Sequence, residues 1–386
     1  MNNISIFILI VIILLTIFYV YFLNRIVKGL NVLINQKTSK TDDVSKKISV
    51  IIPFRDESRN IVRCLESLQN QTYDKDCYEV IFVNDFSQDD SVLKLQQIIK
   101  DKNFKLLSIP GKMKLISSKK TAINYGINNS IGEIIVTTDA DCIHETEWLN
   151  TLAKHFTSDT GIVAGPVQFD EDQTLFQKIQ NLEFQSLILI GAGLIGIGKP
   201  IICNAANFSF RKKLFLKLNG YDNDIRISSG DDVLFMQRAA AETNYKVKFC
   251  FDEKCMVKTK SNNNMKEFFQ QRKRWAGKIF LFHNKAFVIE LILVFIFYLS
   301  IFTQIILGFF VSSLFFFTLF ISCLVKILSE LSVLLKGSEI LKQKFSLFTF
   351  LLAEILHLPY LILSVFGGLF GSYSWKGRKV VNSVDV

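Results

Sequence analysis

Three stretches of the chain are almost entirely apolar, and the remainder alternates short apolar runs with polar segments. Residues 1–24 contain no Asp, Glu, Lys or Arg, residues 287–331 contain three such residues, and residues 345–371 contain only Glu354. A helix needs about 20 apolar residues to cross the hydrocarbon core of a bilayer. The pattern therefore predicts an N-terminal transmembrane anchor and about three apolar helices towards the C-terminus.

Between the anchor and those helices, β-branched runs alternate with segments of helical periodicity. Strands separated by helices indicate a mostly parallel sheet covered on both faces, so the predicted fold class is α/β. Ligands of such sheets bind at the carboxyl ends of the strands. The predicted strands are residues 48–53, 78–83, 104–109, 133–138 and 161–169, and the predicted helices are residues 58–69, 91–99, 121–128 and 148–156.

The composition divides the chain into five segments. The formal net charge is +10, but residues 48–286 hold 32 basic and 28 acidic side chains and so contribute only +4. Most of the positive excess flanks the apolar segments, which is typical of cytoplasmic loops. The segments are an anchor, a basic juxtamembrane linker, an α/β domain with an interfacial helix, a C-terminal membrane region and a basic tail, at residues 1–24, 25–47, 48–286, 287–371 and 372–386.

The charge distribution also predicts the location of the protein. The first apolar run, Ile4–Leu23, lacks the basic n-region and the small-residue site of a cleaved signal peptide, and Arg25 and Lys28 follow it directly. We therefore expect an uncleaved anchor, a multi-pass protein of the plasma (inner) membrane and a cytoplasmic α/β domain. Three C-terminal crossings would put the basic tail outside, so the alternative is that one apolar segment is re-entrant.

The composition argues against a zinc site, a disulfide framework and a nucleic acid partner. The seven cysteines are scattered and include no C-x-x-C pair, which indicates reduced packing thiols and no zinc site or disulfide framework. The sequence has no stripe of Lys and Arg interleaved with aromatic residues, so we expect no nucleic acid partner.

Charged side chains, most of them carboxylates, follow three of the predicted strands. Arg55 and Glu57 come after the first strand, Asp85 after the second, and Asp139 and Asp141 after the fourth. Because the carboxyl ends of parallel strands share one edge of the sheet, we expect these side chains to converge. Two carboxylates two residues apart suit a divalent cation that phosphate oxygens also bind. An acidic turn without a metal is the alternative interpretation.

Six motifs occur in a fixed order along residues 48–280. They are I-S-V-I-I-P-F-R-D-E from Ile48, V-N-D-F-S-Q-D from Val83, K-K-T-A-I-N-Y-G from Lys119, T-D-A-D from Thr138, S-G-D-D from Ser229 and Q-R-K-R-W from Gln271. This series resembles the membrane-bound family 2 glycosyltransferases with the GT-A fold, a Rossmann-like sheet flanked by helices. The resemblance implies inverting transfer of a sugar from a nucleotide diphospho-sugar.

The resemblance also implies roles for individual residues. Asp232 would be the general base that takes the acceptor proton, and Asp231 is the alternative base. Asp141, together with Asp139, would hold Mn²⁺ or Mg²⁺. The residues implied to bind the nucleotide sugar are Pro53, Arg55, Glu57, Asp85, Lys119 and Asp139, and those implied to close the acceptor side are Gln271, Arg274 and Trp275.

The chain departs from the family pattern at several positions. The family usually has Asn where Asp56 stands, often Glu where Asp231 stands, and often D-D-G-S where the chain has N-D-F-S from Asn84. These departures bear on the nucleotide preference more than on the reaction type.

Several of these features also have purely structural interpretations. Asp231 and Asp232 precede a helical segment, whose start they would cap, and the Q-x-x-R-W segment would serve as a juxtamembrane anchor. Ser186–Gly198 is apolar and Gly-rich but too short to span, so it is either an interfacial segment or part of the core. Glu354 and His357 lie three apart in apolar surroundings, where they are either functional or exposed to water.

We therefore predict a metal-dependent transferase. It would move a hexose or N-acetylhexosamine from a nucleotide sugar, expected to be a UDP-sugar, to a membrane lipid or lipid-linked acceptor. The first alternative is a processive polysaccharide synthase, because such synthases share Q-x-x-R-W, although one anchor and about three further helices make a small bundle for threading a polymer. The second alternative is a non-catalytic membrane scaffold, for which intact Asp139, Asp141 and Asp232 would be unnecessary.

Overall fold

The computed structural model describes residues 3–36, 46–111, 118–170, 174–221, 231–277, 279–370, 373–375, 378–381 and 384–385. Part of the predicted linker, Ser229 and Gly230 of the S-G-D-D motif, and much of the basic tail lie outside these residues. The strands are β1 Ile48–Phe54, β2 Tyr78–Asn84, β3 Phe104–Ser108, β4 Ile134–Thr137, β5 Ile143–His144, β6 Thr160–Ala164, β7 Val167–Phe169, β8 Phe208–Arg211, β9 Lys246–Phe249, β10 Val257–Thr259, β11 Tyr373–Trp375, β12 Arg378–Val381 and β13 Val384–Asp385. The α-helices are α1 Asn3–Asn35, α2 Ile61–Gln69, α3 Ser91–Ile98, α4 Ser118–Asn128, α5 Trp148–Lys154, α6 Leu175–Gly196, α7 Lys212–Lys217, α8 Asp231–Glu242, α9 Met265–Ala276, α10 Lys285–Phe310, α11 Leu314–Leu341 and α12 Leu347–Phe370.

A seven-stranded sheet with the order β3-β2-β1-β4-β8-β6-β9 forms the centre of the α/β domain. β1 pairs in parallel with β2 and β4, β2 pairs in parallel with β3, and β8 is antiparallel to both of its neighbours. In β1 only Pro53 is less than fully buried, as expected for a central strand covered on both faces. The predicted α/β fold with a mostly parallel sheet is confirmed.

The register brings three loops to one edge of this sheet. Phe54 at the end of β1 pairs with Asn84 at the end of β2, and Ile51 pairs with Thr137 at the end of β4. The chain therefore leaves all three strands on the same side, where ligands of open α/β sheets bind.

Five helices in the described part of the chain are long and apolar enough to cross a membrane: α1, α6, α10, α11 and residues Leu347–Gly368 of α12. α1, α10 and α11 pack against one another as a bundle. α6 differs, because it also packs against β7 and β9 of the α/β domain. The apolar run Ser186–Gly198 belongs to this helix as far as Gly196, and the helix begins at Leu175, so the element is longer than that run alone indicates.

α1 continues well beyond the apolar run that ends near Leu23, and its last turns pack against α6. A Cβ added to Gly29 would lie 1.8 Å from the carbonyl oxygen of Gly193, and one added to Gly196 would lie 2.2 Å from the carbonyl oxygen of Gly29. Only glycine allows two helix backbones to approach so closely. This crossing joins the membrane bundle to the α/β domain.

Both ends of α12 contact the α/β domain. Just before the helix, Nε2 of Gln343 donates a 2.9 Å hydrogen bond to Oε1 of Gln168. At the other end, a Cβ on Gly368 would lie 2.8 Å from the carbonyl oxygen of Lys273 in α9, and β11 of the tail also packs against α9. Both ends of α12 therefore lie against the α/β domain.

Candidate active site

A cavity of about 790 Å³ begins at the carboxyl edge of the sheet and continues between the membrane helices. With the exception of Asp231, every residue predicted to act in the site lines this cavity. These residues are Pro53, Arg55, Glu57, Asp85, Lys119, Asp139, Asp141, Asp232, Gln271, Arg274 and Trp275. The side chain of Asp231 lies outside the described part of the structure. The fold therefore gathers residues from six separate motifs around one space.

The loops after β1 and β2 are joined by hydrogen bonds. The backbone amide of Gln88 donates to Oδ1 of Asp56 at 2.7 Å, and the amide of Asp56 donates to Oγ of Ser87 at 3.1 Å. Asp56 and Phe86 have φ angles of 53° and 55°, a left-handed conformation that is costly for residues other than glycine. Asp56, which departs from the family pattern, thus holds the two loops together through its carboxylate.

Lys119 connects the start of α4 to the loop after β4. Its Nζ donates a 2.7 Å hydrogen bond to Oδ1 of Asp139. The two side chains are 21% and 38% exposed, so the pair is accessible from the cavity. The ammonium offsets part of the negative charge of the acidic loops that converge there.

His144 supports the turn that carries Asp139 and Asp141. Its Nδ1 lies 2.9 Å from Oγ of Ser67, and its Nε2 lies 2.9 Å from Oγ1 of Thr138. Burial lowers the pKa of His144 to about 3, so the ring is neutral near pH 7. A neutral imidazole donates through one nitrogen and accepts through the other, which suits two hydroxyl partners. The motifs did not predict this role, although the position of a histidine three residues after D-A-D was visible in the sequence.

Asp139 and Asp141 are the carboxylates that fit a divalent cation. No group of three or more His, Cys, Asp or Glu side chains within the described residues forms a metal site by itself. Mg²⁺ is commonly held by one or two carboxylates together with substrate phosphates. Burial, with the nearby carboxylates, raises the pKa of the Cys64 and Cys142 thiols, so neither offers a thiolate ligand. The donor set thus fits a cation shared with a diphosphate better than a resident structural metal.

Asp232 is the second residue of α8 and lines the cavity while being only 8% exposed. Because α8 begins at Asp231, both acidic residues stand where the helix dipole favours negative charge. The two residues therefore lie inside the first turn and do not precede the helix, so dipole complementarity is the part of the structural interpretation that fits, and Asp232 also lies on the cavity wall.

Arg272, which was not predicted from the motifs, anchors α9. Its Nε donates a 2.9 Å hydrogen bond to Oε1 of Glu183, and its second nitrogen pairs with the other carboxylate oxygen. The guanidinium carbon lies 4.4 Å from the ring centroid of Trp275, which stacks on Phe184 at 6.1 Å. A bidentate pair fixes the plane of the guanidinium and hence the indole beside it. The signal in the sequence is that Glu183 is the single acidic residue of α6.

Gln271 belongs to the same network between α6 and α9. Nδ2 of Asn262 lies 3.0 Å from both Oε1 of Gln271 and Oε1 of Gln180. The loop before α9 is thereby tied to α6, and the Q-x-x-R-W segment is held against the cavity from two directions.

The far end of the cavity lies among the membrane helices and carries ionisable side chains. Glu330 of α11 and Glu354 and His357 of α12 line it. Behind them, Nζ of Lys326 pairs with Glu354 and lies 2.9 Å from Oε1 of Glu330. Glu354 and His357 therefore belong to the wall of the same cavity as Asp139.

Comparison with known proteins relates this arrangement to a family. Residues 49–219 match the family described as Glycosyl transferase family 2. Glycosyltransferase AglE of Haloferax volcanii is 27% identical over 212 residues, 53% of this chain and 64% of that protein. The dolichyl N-acetyl-alpha-D-glucosaminyl phosphate 3-beta-D-2,3-diacetamido-2,3-dideoxy-beta-D-glucuronosyltransferase of Methanococcus voltae is 31% identical over 102 residues, 26% of this chain and 31% of that protein. The chain thus spans less than two thirds of the length of these relatives.

One solved structure shares the fold over nearly the whole chain. The mannosyltransferase PcManGT from Pyrobaculum calidifontis, in complex with GDP-Man and Mn²⁺, has a TM-score of 0.54 and 16% identity, covering 94% of this chain and 99% of that one. At this identity the similarity concerns the fold alone. The GT-A fold is confirmed, and the roles of individual site residues stay predictions.

Proposed function

We propose that this chain, whose residues 49–219 match Glycosyl transferase family 2, transfers one hexose or N-acetylhexosamine from a UDP-sugar to a membrane lipid or lipid-linked acceptor. The observation that carries the proposal is the continuity of one cavity, lined by Asp139 and Asp232 at the sheet edge and by Glu330 and Glu354 among the membrane helices. A single cavity with a polar end and a membrane end suits a reaction between a water-soluble donor and a lipid acceptor.

The donor would bind across the loops that follow β1, β2 and β4. Asp85 would face the nucleoside and Lys119 the diphosphate, which the 2.7 Å contact between Lys119 and Asp139 supports. Asp139 and Asp141 would hold Mn²⁺ or Mg²⁺, which when bound would neutralise the charge of the diphosphate leaving group.

Asp232 would act as the general base. The acceptor oxygen forms a bond to the anomeric carbon, its proton passes to the Asp232 carboxylate, and the bond to the diphosphate breaks with its electron pair leaving on the nucleotide. Attack from the face opposite to the leaving group inverts the configuration. The low exposure of Asp232, 8%, supports this role because it limits competition from bulk water.

The Q-x-x-R-W segment would close the acceptor side of the site. Arg274 would contact the diphosphate through its planar donor fork, and Trp275 would contact the acceptor. The buried pair between Arg272 and Glu183 supports this role because it orients the indole that faces the cavity.

The proposed membrane arrangement has three crossings, α1, α10 and α11. Lys342, before α12, pairs with Glu253 of the catalytic domain, and Gly368, near the end of α12, approaches Lys273. A helix with both ends against the catalytic domain lies along that domain without crossing the bilayer. Two crossings after the catalytic domain would put the basic tail on the same side as that domain, which is consistent with the positive-inside rule.

The test is a screen of the purified full chain with a panel of nucleotide sugars, membrane lipid extract and Mn²⁺. Mass spectrometry should detect a lipid that is one sugar heavier, and Asp232→Asn serves as the inactive control. A product ladder of repeated sugars would support the alternative of a processive polysaccharide synthase. If no nucleotide sugar is consumed, the alternative of a non-catalytic membrane scaffold is favoured.

A further inference from the structure

We propose that the membrane end of the cavity binds the uncharged, hydroxyl-bearing headgroup of a neutral lipid, a diacylglycerol or its glycoside, as the acceptor. The inference rests on the proposed function and names the class of its acceptor. Glu330, Glu354, Tyr298 and Ser364 all line this end of the cavity. Carboxyl oxygens accept hydrogen bonds, and the free hydroxyl of a diacylglycerol, or the several hydroxyls of its glycoside, supplies the matching donor.

The ammonium of Lys326, which pairs with Glu330 and Glu354, contacts protein carboxyl groups and does not line the cavity. Lys326 is 2% exposed, its Nζ lies 2.9 Å from Oε1 of Glu330, and it also pairs with Glu354. Glu330 in addition accepts a 3.1 Å hydrogen bond from the hydroxyl of Tyr298. Glu330 offsets the charge of Lys326, and an uncharged His357 adds no further cation, so this end of the cavity has no net positive charge. A lipid phosphate would meet carboxylates there without a compensating cation, which disfavours its binding.

Ser364 provides an independent indication of a ligand. Its side chain is 5% exposed, it lines the cavity, and within the described structure its Oγ has no hydrogen-bond partner. Serines in apolar helices ordinarily bond to a carbonyl of the preceding turn, as Ser300 does to Phe297 at 2.7 Å. Because a buried unpaired hydroxyl is costly, the Oγ of Ser364 is suited to bind a group that enters the cavity.

The polar residues form a stripe along α12. Glu354, His357, Leu361 and Ser364 all line the cavity and are spaced by three or four residues, so they share one helix face. The stripe is about 15 Å long, at a rise of about 1.5 Å per residue. One turn beyond it, Gly368 packs against the α9 helix that carries the Q-x-x-R-W segment. The stripe therefore leads from the bundle towards the proposed catalytic residues.

In the proposed membrane arrangement, the cluster lies near the cytoplasmic end of the bundle, at the depth expected for inner-leaflet headgroups. The ion pair of 2.9 Å between Arg25 and Glu290 marks that end, and Tyr19, which pairs with Glu330, precedes Arg25 by roughly 9 Å of helix. On α12 the side chains of Ile355 and Leu363 are 70% and 60% exposed. Those exposed apolar groups suit contact with acyl chains.

Lipid selectivity of the purified full chain tests the proposal. Dioleoylglycerol and dioleoyl phosphatidic acid differ only by a phosphate, and both are offered at equal concentration in detergent micelles, with undecaprenyl phosphate as a further competitor. Native mass spectrometry counts the bound lipid. We expect dioleoylglycerol to bind about 10-fold more tightly than either phosphate lipid. A preference for phosphatidic acid or undecaprenyl phosphate would overturn the proposal.

Three variants locate the binding site. Ser364→Leu fills this end of the cavity and should weaken dioleoylglycerol binding about 10-fold or more. Ser300→Ala is the matched control, since Ser300 is buried, already bonded and not part of the cavity wall. Glu354→Leu removes the carboxyl oxygens of Glu354 as hydrogen-bond acceptors while Glu330 still pairs with Lys326, and it should weaken dioleoylglycerol binding. Unchanged dioleoylglycerol binding in Ser364→Leu contradicts the proposed site.

A titration of the same samples with UDP and with a nucleotide-sugar panel separates the two proposals. A chain that consumes a nucleotide sugar but prefers a phosphate lipid contradicts the acceptor inference alone. A chain that selects dioleoylglycerol but binds and consumes no nucleotide contradicts the proposed function alone.

Discussion

Nζ of Lys119 lies 2.7 Å from Oδ1 of Asp139, so the cation at the start of α4 is bonded to the first carboxylate of D-A-D. The pair fixes the orientation of Asp139 and leaves both groups partly exposed to the cavity. An anionic ligand and a metal would therefore meet a cation and a carboxylate that are already held in relation to each other.

Replacement of Lys119 should weaken donor binding. Lys119→Met removes the proposed charge-assisted bond to the donor diphosphate. Such a bond is worth about 1.5–3 kcal/mol, so the donor KM should rise about 10- to 100-fold. The acceptor KM should change little, and measuring both separates donor binding from a general defect. Lys102→Met, at a side chain that is 93% exposed, is the control. Equal increases in both KM values would argue against a donor role for Lys119.

Replacement of Asp232, the proposed general base, should abolish transfer without loss of donor affinity. Asp232→Asn keeps the shape of the side chain but cannot accept the proton, so kcat should fall about 10²- to 10⁴-fold. UDP binding, measured by calorimetry, should stay near the wild-type value. Asp231→Asn should retain most of the activity. Near-normal turnover in Asp232→Asn would contradict the assignment of Asp232 as the general base.

Removal of divalent metal should stop the reaction reversibly. We expect loss of activity in EDTA and recovery with Mn²⁺, because Asp139 and Asp141 provide carboxylates that fit a cation shared with the donor diphosphate. Asp141→Asn should raise the Mn²⁺ concentration for half-maximal activity at least about tenfold. Binding of Mn²⁺ in the presence of UDP, followed by electron paramagnetic resonance, gives a readout independent of turnover. Full activity in EDTA would contradict the metal role.

Burial of His144 predicts a loss of stability in mild acid. Unfolded chains protonate histidine near pH 6.5, whereas the folded imidazole stays neutral down to a pKa of about 3. The unfolded state therefore binds more protons as the pH falls, and this contribution to stability is present above pH 6.5 and lost below it. The loss should be about 1.4 kcal/mol per pH unit.

The control for this effect is His144→Gln, which keeps hydrogen-bonding capacity without an ionisable ring. Its Tm should be lower than that of wild type at pH 7.5, and it should fall less between pH 6.5 and 5. Carboxylates titrate alike in both proteins, so the difference between the two curves reports His144. Parallel curves would refute the assignment.

The crossing of α1 and α6 should not tolerate a side chain at Gly29. Gly29→Val would force the two backbones apart, because its Cβ would lie 1.8 Å from the carbonyl oxygen of Gly193. We expect a loss of at least about 1–3 kcal/mol of stability, seen as a lower Tm of the purified chain. Gly111→Ala is the matched control, since a Cβ there has no atom within 4 Å. Similar Tm values for the two variants would show that the crossing does not limit stability.

Much of the catalytic domain was predictable because its signals are local. The alternation of buried strands and amphipathic helices gave the sheet, and the carboxylates at strand ends indicated the edge where Asp85, Asp139 and Asp141 now line one cavity. His144 and Arg272 escaped prediction, since a buried histidine and a paired arginine have no spacing of their own. Their partners Ser67 and Glu183 are 77 and 89 positions away along the chain.

The α/β fold, the apolar helices α1, α10, α11 and α12 and the motif residues were predictable from the sequence, because periodic burial and short motifs are properties of neighbouring positions. The return of α12 to the α/β domain, and the position of Glu354 and Ser364 in the same cavity as Asp139, are visible only in the tertiary structure. A long apolar helix has the same sequence pattern whether it spans the bilayer or lies against a domain. Which face of that helix meets which neighbour depends on packing between segments far apart in the chain, and local spacing does not encode it.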